Sequence, residues 1–169
     1  MAAAPPSSVE ALLAQCYPGV RVTKQETVQS LWGGYGQILR LHLEGCAAAP
    51  GTVVVKRVAP PDDRGISHER KCRSYVVEQA FYEQCASRLD PALCRVPKLL
   101  GSGSAQRGET LFVLEDLDAV GFGDRRYSLS LPDARACVVW LAHFHRTFLG
   151  TRGTKEGPDG LWEQVRRTF

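Results

Sequence analysis

The sequence predicts an α+β fold in which one antiparallel sheet is crossed by a long helix. Three observations predict it. Apolar residues alternate with period two in two blocks, about 20–58 and 96–114. A helical run of about 68–89 separates them. The links between the strands are too short for parallel crossovers, so neighbours must run antiparallel.

Taken in order, a capping box Ser7-x-x-Glu10 opens a short helix to about Gln15, and Tyr17-Pro18-Gly19 ends it. A strand runs from Val20 to Leu31 on Val20, Val22 and Val28. Trp32-Gly33-Gly34-Tyr35-Gly36 is a turn, and Ile38, Leu39, Leu41 and Leu43 mark the second strand. The β-branched run Thr52–Val58 is the third. Pro60 and Pro61 stop it, and the long helix follows with Tyr75, Val77, Phe81, Cys85 and Leu89 as its apolar face. Residues 96–101 and 110–114 flank a Gly-rich turn and read as a hairpin, which brings the sheet to five strands. Ser130-x-x-Asp133, with Pro132 in the first turn, starts a last helix to about Phe148. Its apolar stripe is Ala134, Cys137, Val138, Leu141, Phe144 and Phe148. The chain thus divides into a tip and short helix (1–19), a sheet lobe (20–117), and a linker with an incomplete helical lobe (118–169).

Composition narrows the function classes. At 169 residues and 44% hydrophobic, the chain suits one globular domain better than two. No stretch approaches the roughly 20 apolar residues of a membrane span. The first residues carry neither Lys nor Arg nor a long apolar run, so a cytoplasmic location is expected. A net charge of +3 is too small to imply nucleic acid, and the densest basic stretch, 64–73, is diluted by Glu69, Asp62 and Asp63. Six scattered cysteines without a C-x-x-C pair read as free thiols rather than a zinc site.

Three residues or groups that mean little alone gain meaning from their order. Gly33, Gly34 and Gly36 lie between the first two strands, where absent Cβ atoms let backbone approach phosphate oxygens. Lys56 lies on the third strand and can reach under that turn. Glu78, 22 residues on, can pin the lysine by an ion pair. Alternation puts Val54, Lys56 and Val58 on one face and Arg57 on the other.

Val53-Val54-Val55-Lys56 resembles the V-A-I-K strand of kinases. Glu78-x-x-Phe81-Tyr82, Leu111-Phe112-Val113-Leu114-Glu115-Asp116-Leu117 and Leu141-Ala142-His143-Phe144-His145 resemble the helix, hinge and following helix of the aminoglycoside-phosphotransferase-like, choline-kinase-like and ecdysteroid-kinase-like enzymes. The resemblance covers about 20–150. It implies a protein-kinase-like N-lobe and an ATP-dependent transfer to the hydroxyl of a small metabolite. It assigns the glycines to the triphosphate, Lys56 to phosphate oxygens, Glu78 to orienting Lys56, Val54 to the adenine slot, and the backbones of Glu115 and Leu117 to the adenine edge. Asp116 shapes the hinge. Two departures stand out: the turn is not a full G-x-G-x-x-G, and Val54 replaces the common, smaller Ala.

The same resemblance implies a catalytic aspartate and Mg²⁺ ligands after the last helix. No His-x-Asp occurs in the sequence, and Gly121-Phe122-Gly123-Asp124 holds the letters of D-F-G in the wrong order and place. The expected protein is therefore a nucleotide-binding part, truncated before the catalytic loop and inactive alone. The main alternative is a kinase-like interaction protein whose helix 132–148 is covered by a partner; a plain α+β binding domain without a nucleotide site is the third reading. His143 and His145 are expected to be structural, with His145 nearer the core and His143 more exposed.

Overall fold

The structure, a computed structural model, describes residues 8–62, 64–104 and 109–149. Its elements are α1 (Val9–Cys16), β1 (Arg21–Ser30), β2 (Gly36–Glu44), β3 (Thr52–Val58), α2 (Ile66–Ala80), β4 (Leu99–Ser104), β5 (Thr110–Glu115) and α3 (Leu131–Phe148). The strands form one antiparallel sheet in the order β1-β2-β3-β5-β4. The fold is therefore α+β with a five-stranded antiparallel sheet.

Two apolar clusters, one on each face of the sheet, follow from the alternation. Leu39, Leu41 and Leu43 of β2, Val53 and Val55 of β3, and Leu111 and Val113 of β5 point to one face and pack with Leu12 and Leu13 of α1. Gly101 allows that helix to approach β4, because a Cβ there would stand 2.8 Å from Cys16 Sγ. The opposite face carries a smaller cluster, Val58, Phe112 and Leu114, covered by Tyr75, Tyr82, Leu31 and Leu99. All six cysteines are free.

Several boundaries move. The cap of α1 is Ser8, whose side chain accepts from Ala11 N–H; Ser7 lies outside the described residues. The long helix does not continue in α form to Leu89. It leaves α geometry after Ala80 for a π-type turn, Phe81–Cys85, and a 3-10 turn, Ala86–Arg88. The first strand of the late hairpin starts at Leu99 instead of Val96, while Lys98 uses its backbone on Glu115. The turn residues 105–108 and the tail 150–169 lie outside the described residues.

The last helix keeps its capping box, with Ser130 and Asp133 bonding each other's backbone, but it is rotated from the expected stripe. Trp140, Phe144 and Phe148 face the sheet lobe. Phe81 lies 5.9 Å from Phe144 and 6.3 Å from Phe148 between ring centres. Trp140 Nε1 donates to the Arg95 carbonyl at 3.0 Å. Cys137, Val138 and Leu141 are exposed in consequence. The same rotation reverses the histidines: His143 is half-buried and His145 exposed. Among the described residues, no helix is long and apolar enough to cross a membrane.

Candidate functional site

The site lies on the α2 side of the sheet. Val54, Lys56 and Val58 share that side because Val53 and Val55 are spent on the α1 core. Register places Val54 beside Leu114 of β5 and Arg40 of β2, and Lys56 beside Phe112 and Ile38. Lys56 Nζ reaches both carboxylate oxygens of Glu78, at 2.8 and 2.6 Å. The two side chains are only 15% and 29% exposed, which weakens solvent screening of the pair. Lys56 Nζ also stands 5.2 Å from the centre of the Tyr75 ring.

The charge on Glu78 is felt by its neighbours. Burial, and then the Glu78 carboxylate, push the Tyr82 phenol up to about 12. Burial is also the largest cause raising Tyr75, followed by Glu78 and Tyr35. Both phenols therefore stay protonated around the ion pair at neutral pH.

The glycine turn caps the same end of the sheet. Gly33 and Gly34 are left-handed, at φ 70° and 77°. Gly36 is still more constrained: at φ 136°, a Cβ would fall 2.0 Å from the Arg57 carbonyl oxygen. Tyr35 is buried beneath the turn, with its hydroxyl 2.8 Å from His68 Nδ1, and its carbonyl accepts from Ala59 N–H. Lys71 lies against the rings of both Trp32 and Tyr35. Tyr35, His68, Lys71 and Tyr75 were not legible as site neighbours in the sequence. The signal available was helical spacing: 68, 71, 75 and 78 fall on one stripe of α2.

The segment that the resemblance reads as a hinge, 115–118, is tied into the fold by its own hydrogen bonds. Glu115 N–H donates to the Lys98 carbonyl, and the Leu117 carbonyl accepts from Val120 and Phe122. The Glu115 N–H and the Leu117 carbonyl are thereby already engaged within the chain. The Glu115 side chain is occupied too, by Arg95 at 2.6 Å and Lys98 N–H at 3.1 Å. Asp116 is 4% exposed and anchors the hinge: it accepts from Arg40 Nε at 2.7 Å and Thr52 Oγ1 at 2.9 Å. Burial works to raise its carboxyl, but those hydrogen bonds and the Arg40 charge carry it below the usual range. Arg40 also pairs with Asp118, which Arg125 holds from the other side. Beyond it, 121–129 form no regular element, and the Asp124 carboxylate is solvated.

Val54, Lys56 and Glu78 thus share the α2 side of the sheet, with the glycine turn at the Val58 end of β3 and Val54 toward the other end, next to Leu114 and Glu115. Among the described residues, no three of His, Cys, Asp and Glu gather closely enough to hold a metal ion. The arrangement defines an α+β protein with a lysine–glutamate pair set between an antiparallel sheet and its crossing helix. Compared with protein-family models, with curated proteins and with solved structures, the chain matches none.

Proposed function

We propose that residues 20–117 are a kinase-like N-lobe that binds ATP, as the nucleotide-binding part of a small-molecule phosphotransferase. The observation that carries this reading is the Lys56–Glu78 pair, bidentate and half-buried between the sheet and α2. A lone lysine on a flexible stem binds phosphate without direction. A lysine held by a carboxylate from a packed helix presents its ammonium at a fixed point. The residues fit the rest of a nucleotide. Val54 and Leu114 lie side by side in register, with Val54 half open, as a wall for a flat base. The left-handed glycines leave backbone bare at the phosphate end. ATP bound there would arrive with Mg²⁺, for which no residue of this chain is assigned, and no residue is assigned as the base that accepts a hydroxyl proton. The acceptor of the class is a small hydroxylated metabolite.

Calorimetric titration of ATP, with and without Mg²⁺, into the 169-residue chain tests the reading. Binding that weakens about tenfold or more in Lys56→Ala, without ATP turnover in either, is the expected result. A folded chain that takes no ATP would overturn it.

One observation favours a second role. α3 presents Leu131, Val138, Val139 and Leu141 to solvent, the first two at 76% and 63% exposure. An apolar helix face of this kind is a docking surface for another protein. Sedimentation as a stable monomer at roughly tens of micromolar would argue against self-association through this face.

A further inference from the structure

The glycine turn is fastened to α2 by the contact of Tyr35 with His68 and by Lys71. Lys71 Nζ sits 4.9 Å from the ring centre of Trp32 and 4.5 Å from that of Tyr35. It lies 3.2 Å from the point that a Cβ on Gly33 would occupy. Lys71, Tyr75 and Glu78 follow at i, i+4 and i+7, one stripe of the helix. At the far end of that stripe Glu78 holds Lys56. Between them the Tyr75 ring is 5.2 Å from Lys56 Nζ and 6.3 Å from the Tyr35 ring. Two ammonium groups therefore stand along one seam between sheet and helix, separated by two phenol rings.

Their surroundings differ in charge. Lys56 is matched by both oxygens of Glu78. Among the described residues, no carboxylate lies within ion-pair distance of Lys71. Ring faces attract an ammonium but carry no net charge, so its positive charge remains uncancelled. Trp32, the outer ring of the pair, is 85% exposed, and the open side of the seam faces the solvent. A half-buried, unmatched cation beside a backbone stripped of Cβ atoms is suited to an anion.

We infer that Lys71 is a second phosphate-binding residue, taking the outer oxygens of a polyphosphate chain beneath the glycine turn while Lys56 takes the inner ones. The inference rests on the nucleotide reading for the base end of the ligand only; the recognised chemistry is the polyphosphate. It makes the site a counter of phosphate groups, because a monophosphate reaching Lys56 would stop short of Lys71.

The test is calorimetric titration of ATP, ADP, AMP and inorganic tripolyphosphate into the 169-residue chain, its Lys71→Gln variant and Arg73→Gln. Arg73 is an exposed arginine of the same helix and controls for net charge. Lys71→Gln is expected to weaken ATP and tripolyphosphate about tenfold, ADP less, and AMP by less than about twofold, with Arg73→Gln near wild type throughout. Equal weakening of AMP and ATP would mean that Lys71 only holds the turn in shape, and no weakening would remove it from the site; either overturns the inference. Lys71-dependent binding of tripolyphosphate without binding of ATP would uphold the inference and sink the nucleotide reading. Binding of ATP independent of Lys71 would do the reverse, and binding of neither ligand would end both. A melting curve of each ligand-free variant separates lost binding from lost folding.

Discussion

The two faces of the sheet are made from the same strands and are spent differently. The α1 face is closed and aliphatic: Leu39, Leu41, Val53, Val55, Leu111 and Val113 meet Leu12 and Leu13 with no polar group among them. The α2 face interrupts a smaller apolar cluster with Lys56, Glu78, Arg40 and the phenols of Tyr35 and Tyr75. A strand can serve both because its side chains alternate, so Val55 builds the core while Lys56, its neighbour, builds the site. The fold's aliphatic core and its candidate site thus lie on opposite sides of one layer.

That division can be broken in graded steps. The largest effect is expected from Leu41→Ala, which opens a cavity in the closed face and should cost about 3–4 kcal/mol, read as a lower denaturant midpoint with unchanged ligand affinity in the folded fraction. Asp116→Ala should cost less, about 2–3 kcal/mol, since Arg40 loses its buried partner but keeps Asp118. The pH dependence has a definite sign. The Asp116 carboxyl lies lower folded than unfolded, so its contribution is fully present above the unfolded value of about 3.9 and is lost as pH falls through the folded one. Acid denaturation profiles should therefore be shallower in Asp116→Asn. The smallest stability change belongs to Lys56→Ala. That pair lies between the exposed and the buried case, and about 1 kcal/mol is expected, although the same change should cost the most in nucleotide binding. A Lys56→Ala melting temperature as low as that of Leu41→Ala would erase the distinction between the faces.

How much of this was legible follows the range of each interaction. β3 was readable to the residue, Thr52–Val58, because alternation and β-branching are local. The Ser130–Asp133 box was readable for the same reason. The Lys56–Glu78 contact spans 22 residues, and order and family likeness singled out both partners. The Arg40–Asp116 contact spans 76 and has no local sign; neither residue announces the other. Insertion of β5 between β3 and β4 is likewise a pairing choice made by the folded sheet. The rotation of α3 is not legible in its apolar count, because ring contacts with Phe81 decide which side turns inward. Lys71, within the basic stretch 64–73, reads as part of a solvated helix start until the rings beside it are known.

The outermost strand, β1, forms one edge of the sheet. It is ten residues long and almost wholly exposed, and its pairing with β2 slips twice, between Val22 and Lys24 and between Thr27 and Gln29. Lys24 and Glu26 pair with each other along it. An outward edge with interrupted spacing and charged teeth gives an incoming strand no continuous ladder to copy. The sheet is thereby guarded against growth into fibrils along the very side that the described residues leave uncovered.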